Sequence, residues 1–234
     1  MAVNRKIITG LSNPDGSPPA AAVLRTPTSI NTELKVVQDI VPKITDLSAQ
    51  KDARIRAIKN NKDLTQVAVG AQIKSISDVF DAQIQEFLTM SEAYCAAAAQ
   101  QEQFYTREAC LQRAVAYGGA TITESIFTRL GRENVLQLMN EAALAASNKD
   151  QVLGGCIMIE VSARATSAGS RSGVLTRGQV NDINELLATI PTDSEKVLPM
   201  LLEFNILRRE AAVRAGKGGP TAKIAVALLK QGSV

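Results

Sequence analysis

The stretch from Leu64 to Gln103, LTQVAVGAQIKSISDVFDAQIQEFLTMSEAYCAAAAQQEQ, decides the fold. At about 100° per residue, Val69, Ile73, Ile76, Phe80, Ile84, Phe87, Tyr94 and Ala98 fall on one side of a helix. Lys74, Asp78, Asp81, Gln85, Thr89, Glu92 and Gln103 fall on the other. The apolar line keeps its direction without the drift of a strict heptad, which favours globular packing over a supercoiled dimer. A continuous helix of this length spans on the order of 60 Å at about 1.5 Å per residue. That exceeds what a compact body of this chain length needs, so part of the helix should project or meet a partner.

Working outward, no proline occurs between Pro42 and Pro191. Long uninterrupted helices are therefore allowed, and the strong helix formers found there favour them. Upstream, Ile30, Leu34, Val37, Val41, Ile44 and Leu47 recur at steps of three and four, with Ser29 as a cap. Pro42 should kink or divide that helix. Downstream, Gly118-Gly119 should end a helix over Arg107 to Tyr117. Pairs spaced as capping boxes open three more: Thr121 with Glu124, Thr176 with Gln179, and Thr192 with Glu195. Gly131 is a terminator, after which Val135, Leu136, Met139, Ala142 and Leu144 form a helix ending near Asn148. The apolar density of Val152 to Val161, with Gly154-Gly155, permits a strand. Asn148 with Gln151 resembles a cap, so helix is expected. Pro199 places the start of the next regular segment at itself, and Thr221 caps a last helix with Ile224, Val226, Leu228 and Leu229. The fold class expected is all-α, a multi-helix bundle around one long central helix.

Residues 1–28 differ from the rest. Arg5 to Leu11 and Ala20 to Thr26 are strand-capable runs flanking Asn13-Pro14-Asp15-Gly16, a turn sequence. A projecting β-hairpin or an extended Pro-rich arm follows. A lone hairpin is marginal in water, so it must borrow a surface. Ile7, Ile8, Val23 and Leu24 are available for that contact, and Arg5, Lys6 and Arg25 can meet an acidic neighbour. The division expected is an arm over 1–28, a helical core over 29–165 and a C-terminal helical subdomain over 166–234, with the small, polar run 165–173 at the boundary.

Composition narrows the chemistry. The chain of 234 residues has eight Phe and Tyr together and no Trp, so its core is built from Ala, Leu, Ile and Val. Histidine is absent, which removes Ser-His-Asp and Cys-His nucleophile systems, histidine-based zinc motifs and the di-iron bundle. Gly216-Lys217 fails as a phosphate loop, because Ala211 stands where the first Gly belongs and Gly218 where Ser or Thr should hold magnesium. Ser167 to Gly173 lacks a fixed lysine beside it and reads as a solvated linker. Asp78 and Asp81, one turn apart, stand on the polar face, where they are expected to be exposed and not to carry the acid and base work that paired carboxylates do when buried. Three cysteines, Cys95, Cys110 and Cys156, sit in apolar patterns as reduced thiols, the state of a reducing cytoplasm. The N-terminal apolar run is too short for a signal peptide, and no stretch is apolar enough for a membrane span.

Charge is uneven. Residues 1–62 carry 10 basic and 5 acidic side chains, 63–150 carry 6 and 11, and 151–234 carry 10 and 7, giving +5, −5 and +3. Such polarity suits copies that dock head to tail. Lys51, Arg54, Lys59 and Lys62 form a basic helix face that fits phosphate or an acidic partner, though no aromatic is interleaved for base stacking. The functional expectation is a non-enzymatic structural subunit of a homo-oligomeric assembly, without cofactor or metal. By analogy of type this points to a virion protein: a bacteriophage neck or head-to-tail adaptor, or an internal or nucleocapsid protein. The alternative is a helical nucleic-acid-binding protein using the basic face. Its expected partners are copies of itself and other subunits.

The central-helix reading has a direct test. Ile76 and Phe80 should be buried and Asp78 exposed, and Phe80→Ala should cost roughly 3–5 kcal/mol in chemical unfolding. A loss below about 1 kcal/mol would place that stripe against solvent or a partner.

Overall fold

In the computed structural model residues 23–166 and 174–217 are described. They form eight α-helices and no strand: α1 (Pro27–Lys59), α2 (Gln66–Ala99), α3 (Arg107–Tyr117), α4 (Ala120–Leu130), α5 (Val135–Asn148), α6 (Gln151–Thr166), α7 (Arg177–Leu187) and α8 (Ser194–Arg214). A single 3-10 turn, Glu102–Phe104, separates α2 from α3. The fold is all-α, built on the long helix anticipated over 64–103. The residues of the expected N-terminal hairpin up to position 22, the loop 167–173 and the expected last helix over 221–234 lie outside the described residues.

Helix ends follow local chemistry. Thr26, not Ser29, caps α1, with Pro27 as its first residue; the Ser29 N–H donates to Thr26 Oγ1 at 3.2 Å. Proline suits that place because its missing donor is one the helix does not use there. Thr176 with Gln179 forms the expected capping box, and Asn134 with Gln137 forms another on α5. Two expected boxes are absent. Gly119, at φ 86°, turns the chain directly into α4, leaving Thr121 inside the helix. A positive φ of this kind is open to glycine without strain. Thr192 spends its hydroxyl on that of Ser194, 2.7 Å away, and α8 begins without a side-chain cap. Asn148 is the last residue of α5, and the start of α6 is capped by Asp150, whose Oδ1 accepts from Val152 and Leu153 at 3.0 Å.

Neither internal proline breaks its helix. α1 runs through Pro42, and α8 begins five residues before Pro199. Both prolines face solvent, where the carbonyl each leaves free can reach water. Burial of Ile40, Val41 and Ile44 beside Pro42 offsets the roughly 3 kcal/mol such a proline costs.

Side chains pack in two groups. α3 to α7 surround α6, whose residues 153–158 are all buried; Leu111, Leu130, Leu138, Ile157, Ile183 and Ile190 lead this core. α1, α2 and α8 form a three-helix group through Ile30, Leu34, Val37, Ala98, Val197 and Phe204, continued by Ile40, Ile44, Ile84, Leu88 and Ala211. α3 joins them, presenting Leu111 to one core and Cys110 to the other. Arg107 strengthens the junction, donating to the Ile190 carbonyl and pairing with Glu195 at 2.7 Å.

The antiparallel pair of α1 and α2 outruns its support. Phe80 is buried and Asp78 exposed as expected, but Ile76 is only half-buried. No residue from Thr45 to Val79 is buried. Among the described residues the third layer stops here: α8 ends near Ser48, whose hydroxyl donates to the Arg214 carbonyl at 3.2 Å. Among the described residues, no helix is long and apolar enough to cross a membrane.

Two glycines separate close packing from open surface. A Cβ on Gly155 would lie 2.5 Å from the Leu111 carbonyl oxygen and 2.6 Å from Val115 Cγ2, whereas one on Gly70 would meet nothing within 4 Å. Gly155→Ala should therefore destabilise by about 1–3 kcal/mol as α3 and α6 are forced apart. Gly70→Ala should stabilise by roughly 0.5–1 kcal/mol through the loss of unfolded-state freedom. Urea unfolding of both variants checks the contrast, and a Gly155→Ala protein as stable as the native one would contradict the close α3–α6 approach.

Candidate functional site

The projecting α1–α2 hairpin is the outstanding surface. Its seam is made by Ile55, Ile58, Val69, Ile73 and Ile76, all half-buried. Cations shield its larger rings: the Arg54 guanidinium lies 5.2 Å from the Phe80 centroid and the Lys43 amine 5.7 Å from that of Phe87. Such contacts contribute about 0.5–1 kcal/mol at exposed positions. Val67 is 84% exposed and Val79 57%.

The four basic residues anticipated as one face are divided. Lys51 turns inward to Asp81, with Nζ 2.8 Å from Oδ1, and Arg54 is laid over Phe80. Lys59 ends α1 and Lys62 stands in the turn beyond it, both exposed. The free cations at the tip are thus Lys59 and Lys62, joined by exposed Arg56. Asp81 is engaged with Lys51 while Asp78 points to solvent, so the two aspartates do not converge on a reacting centre.

The anchor of the N-terminal arm is a second feature. Gln101, 2% exposed, accepts from the Arg25 N–H at 2.9 Å and donates to the Val23 carbonyl at 3.1 Å. Its amide thus acts as a neighbouring strand would, pairing with alternate residues of an extended segment. The Tyr105 hydroxyl donates to the Arg25 carbonyl. Arg25 forms an ion pair with Glu33. Val23 and Leu24 are 78% and 38% exposed. Ile7, Ile8, Asn13, Pro14, Asp15 and Gly16 lie outside the described residues. Nothing in the sequence marks Gln101, which sits in a run of glutamines and glutamates that reads as surface.

A third feature is a buried polar cluster between α4, α5 and α6. Arg164 is 1% exposed; its Nε donates to Glu160 at 2.7 Å, and its other nitrogens donate to the carbonyls of Glu133 and Leu130 at 2.9 and 2.5 Å. It thereby satisfies acceptors at the C-terminal end of α4. Arg129 pairs with Glu141 at 2.7 Å. The second carboxylate oxygens of Glu133 and Glu141 are buried without a hydrogen-bond partner. Burial raises the pKa of Glu133 above the ordinary value, and the neighbouring Glu141 adds to the shift. The Glu160–Arg164 spacing reads from sequence as an exposed i,i+4 pair, which hides its buried role.

Among the described residues no three Cys, Asp or Glu side chains gather in a metal-binding group. The three thiols are free and buried, and burial pushes Cys156 up to about 11, which keeps it protonated and unreactive. Lys217, of the rejected phosphate-loop sequence, contacts Gln85 on α2.

No family model, curated protein or solved structure matches the chain.

The polar cluster yields a pH dependence. Because the raised pKa means that the fold prefers neutral Glu133, its stabilising contribution is present below the ordinary value and lost as pH rises through the raised one. Glu133→Gln should therefore melt higher than the native protein at about pH 7, with the gap closing toward about pH 4. A gap independent of pH would contradict the assignment.

Proposed function

We propose that this chain is a non-enzymatic structural subunit of a homo-oligomeric assembly, docking through its projecting hairpin and its anchored N-terminal arm. The observation that carries this is the hairpin: from Thr45 to Val79 two helices extend with no buried residue. A two-helix projection adds little to the stability of its own body, since most helical stability comes from tertiary packing. Its use is reach. Gln101 and Tyr105 add a fixed point of departure for the arm. Subunits of this kind build rings and adaptors, and by type the head-to-tail adaptor of a bacteriophage virion is the model we favour.

A second reading rests on the basic tip. Arg56, Lys59 and Lys62 are exposed together, and a nucleic-acid backbone can be held by such cations with steep salt dependence.

Size-exclusion chromatography with light scattering tests the first reading. It should give an oligomer that dissociates on dilution, and deletion of residues 2–22 should weaken assembly with helical circular dichroism and melting temperature nearly unchanged. A chain that stays monomeric at every concentration contradicts it. Binding to duplex DNA that falls steeply between low and moderate salt would support the second reading instead.

A further inference from the structure

The outward side of α2 faces away from both α1 and α8. Opposite the buried line of Phe80, Ile84, Leu88 and Cys95 stand Ser75, Val79, Ala82, Glu86, Ala93 and Ala96, all exposed. Val79 and nearby Met90 leave apolar surface open at 57% and 39%. Glu86 is the one charge among those six residues, where a solvated helix face is normally rich in charge.

Charge along the hairpin is strongly polar. From Ser75 to Thr106 there is no Lys or Arg, while Asp78, Asp81, Glu86, Glu92 and Glu102 are exposed. Toward the tip the balance reverses, with Arg56, Lys59, Lys62 and Lys74 exposed against Asp52 and Asp63. Each copy thus carries a basic end and an acidic end on one rod.

We infer that α2 pairs antiparallel with α2 of a second copy about a two-fold axis near Gln83. This rests on the assembly reading above and names its interface. Lys74 lies nine residues before Gln83 and Glu92 nine after. A separation of 18 positions makes five turns of 3.6, so both stand on the same side of the helix. Antiparallel pairing sets same-side flanks together, so Lys74 of each copy meets Glu92 of the other, twice by symmetry. The basic tip of each hairpin then lies along the Glu102 end of its partner. A parallel pairing would set like charges against each other. Ala82 and Ala93 let the helix axes approach closely, and Val79 and Met90 supply apolar area. An isologous contact of this kind closes on itself as a dimer, leaving the arm free to join dimers.

Three variants of the full chain test this. Ala82→Cys places an exposed thiol next to the axis, while the native cysteines are buried; mild oxidation should give a covalent dimer that reductant reverses. Lys74→Glu should weaken self-association about tenfold at low salt, and adding Glu92→Lys should restore it, with unchanged helical content throughout. If the native chain is oligomeric but Ala82→Cys does not cross-link, this interface is wrong while the assembly reading stands. A native chain that is always monomeric overturns both. If Lys74→Glu leaves association intact and instead abolishes salt-dependent binding to duplex DNA, nucleic acid occupies this surface and the inference fails.

Discussion

The antiparallel pairing of α1 with α2, and the point at which α8 stops covering it, sets the rest of the structure. Below Ser48 the two helices share a third partner, and Ile40, Ile44, Ile84, Leu88 and Ala211 close a core. Above it, among the described residues, they have only each other. Two helices in contact can bury a seam but no side chain fully, which is why Ile55, Ile58, Ile73 and Ile76 remain half-exposed although their spacing matches that of core residues. Long cationic side chains make up part of the deficit by lying over Phe80 and Phe87. The hairpin is therefore held at its base and open along its length.

The base is made firm by the second group of helices. α6 is buried on most of its circumference over residues 153–158, and Gly155 lets α3 approach to backbone contact. Two arginines fasten helix ends to this body: Arg164 donates to the carbonyls of Leu130, the last residue of α4, and of Glu133 beyond it, and Arg107 donates to that of Ile190 after α7 while pairing with α8 through Glu195. Charge-assisted bonds to carbonyls at helix ends are among the stronger polar contacts available. Arg107, with Leu111 and Cys110 in separate cores, ties α3 to both groups of helices.

Much of this was legible in sequence, and the exceptions have physical causes. Periodicity located α2: of the line read from sequence Phe80, Ile84 and Ala98 are buried, while Phe87 and Tyr94 are half-buried beside the buried Leu88, Ser91 and Cys95. It could not show where the covering helix ends, so Ile76 reads as core while being half-exposed. Gly118 and Gly131 were readable as stops, and they stand at the C-terminal caps of α3 and α4. Prolines misled: Pro42 and Pro199 lie on solvent faces, where their cost is small against adjacent burial. Caps were mixed, since Thr121 and Thr192 have the right spacing but Gly119 and Ser194 provide competing local solutions. The anchor residue Gln101 and the buried Arg164 were hidden because polar side chains in polar runs, or at i,i+4 from an acid, look solvated until tertiary structure brings backbone groups to them.

If the chain assembles through the hairpin as proposed, the outward side of α2 is covered on association. Hydrogen–deuterium exchange followed by mass spectrometry, on the full chain at concentrations below and above its association midpoint, reads this directly. The account predicts that amides over Gln66 to Ala99 slow on association, most over Ser75 to Ala93, while those of α6 keep the same protection at both concentrations. Equal protection of the hairpin in the dissociated and associated states would contradict it.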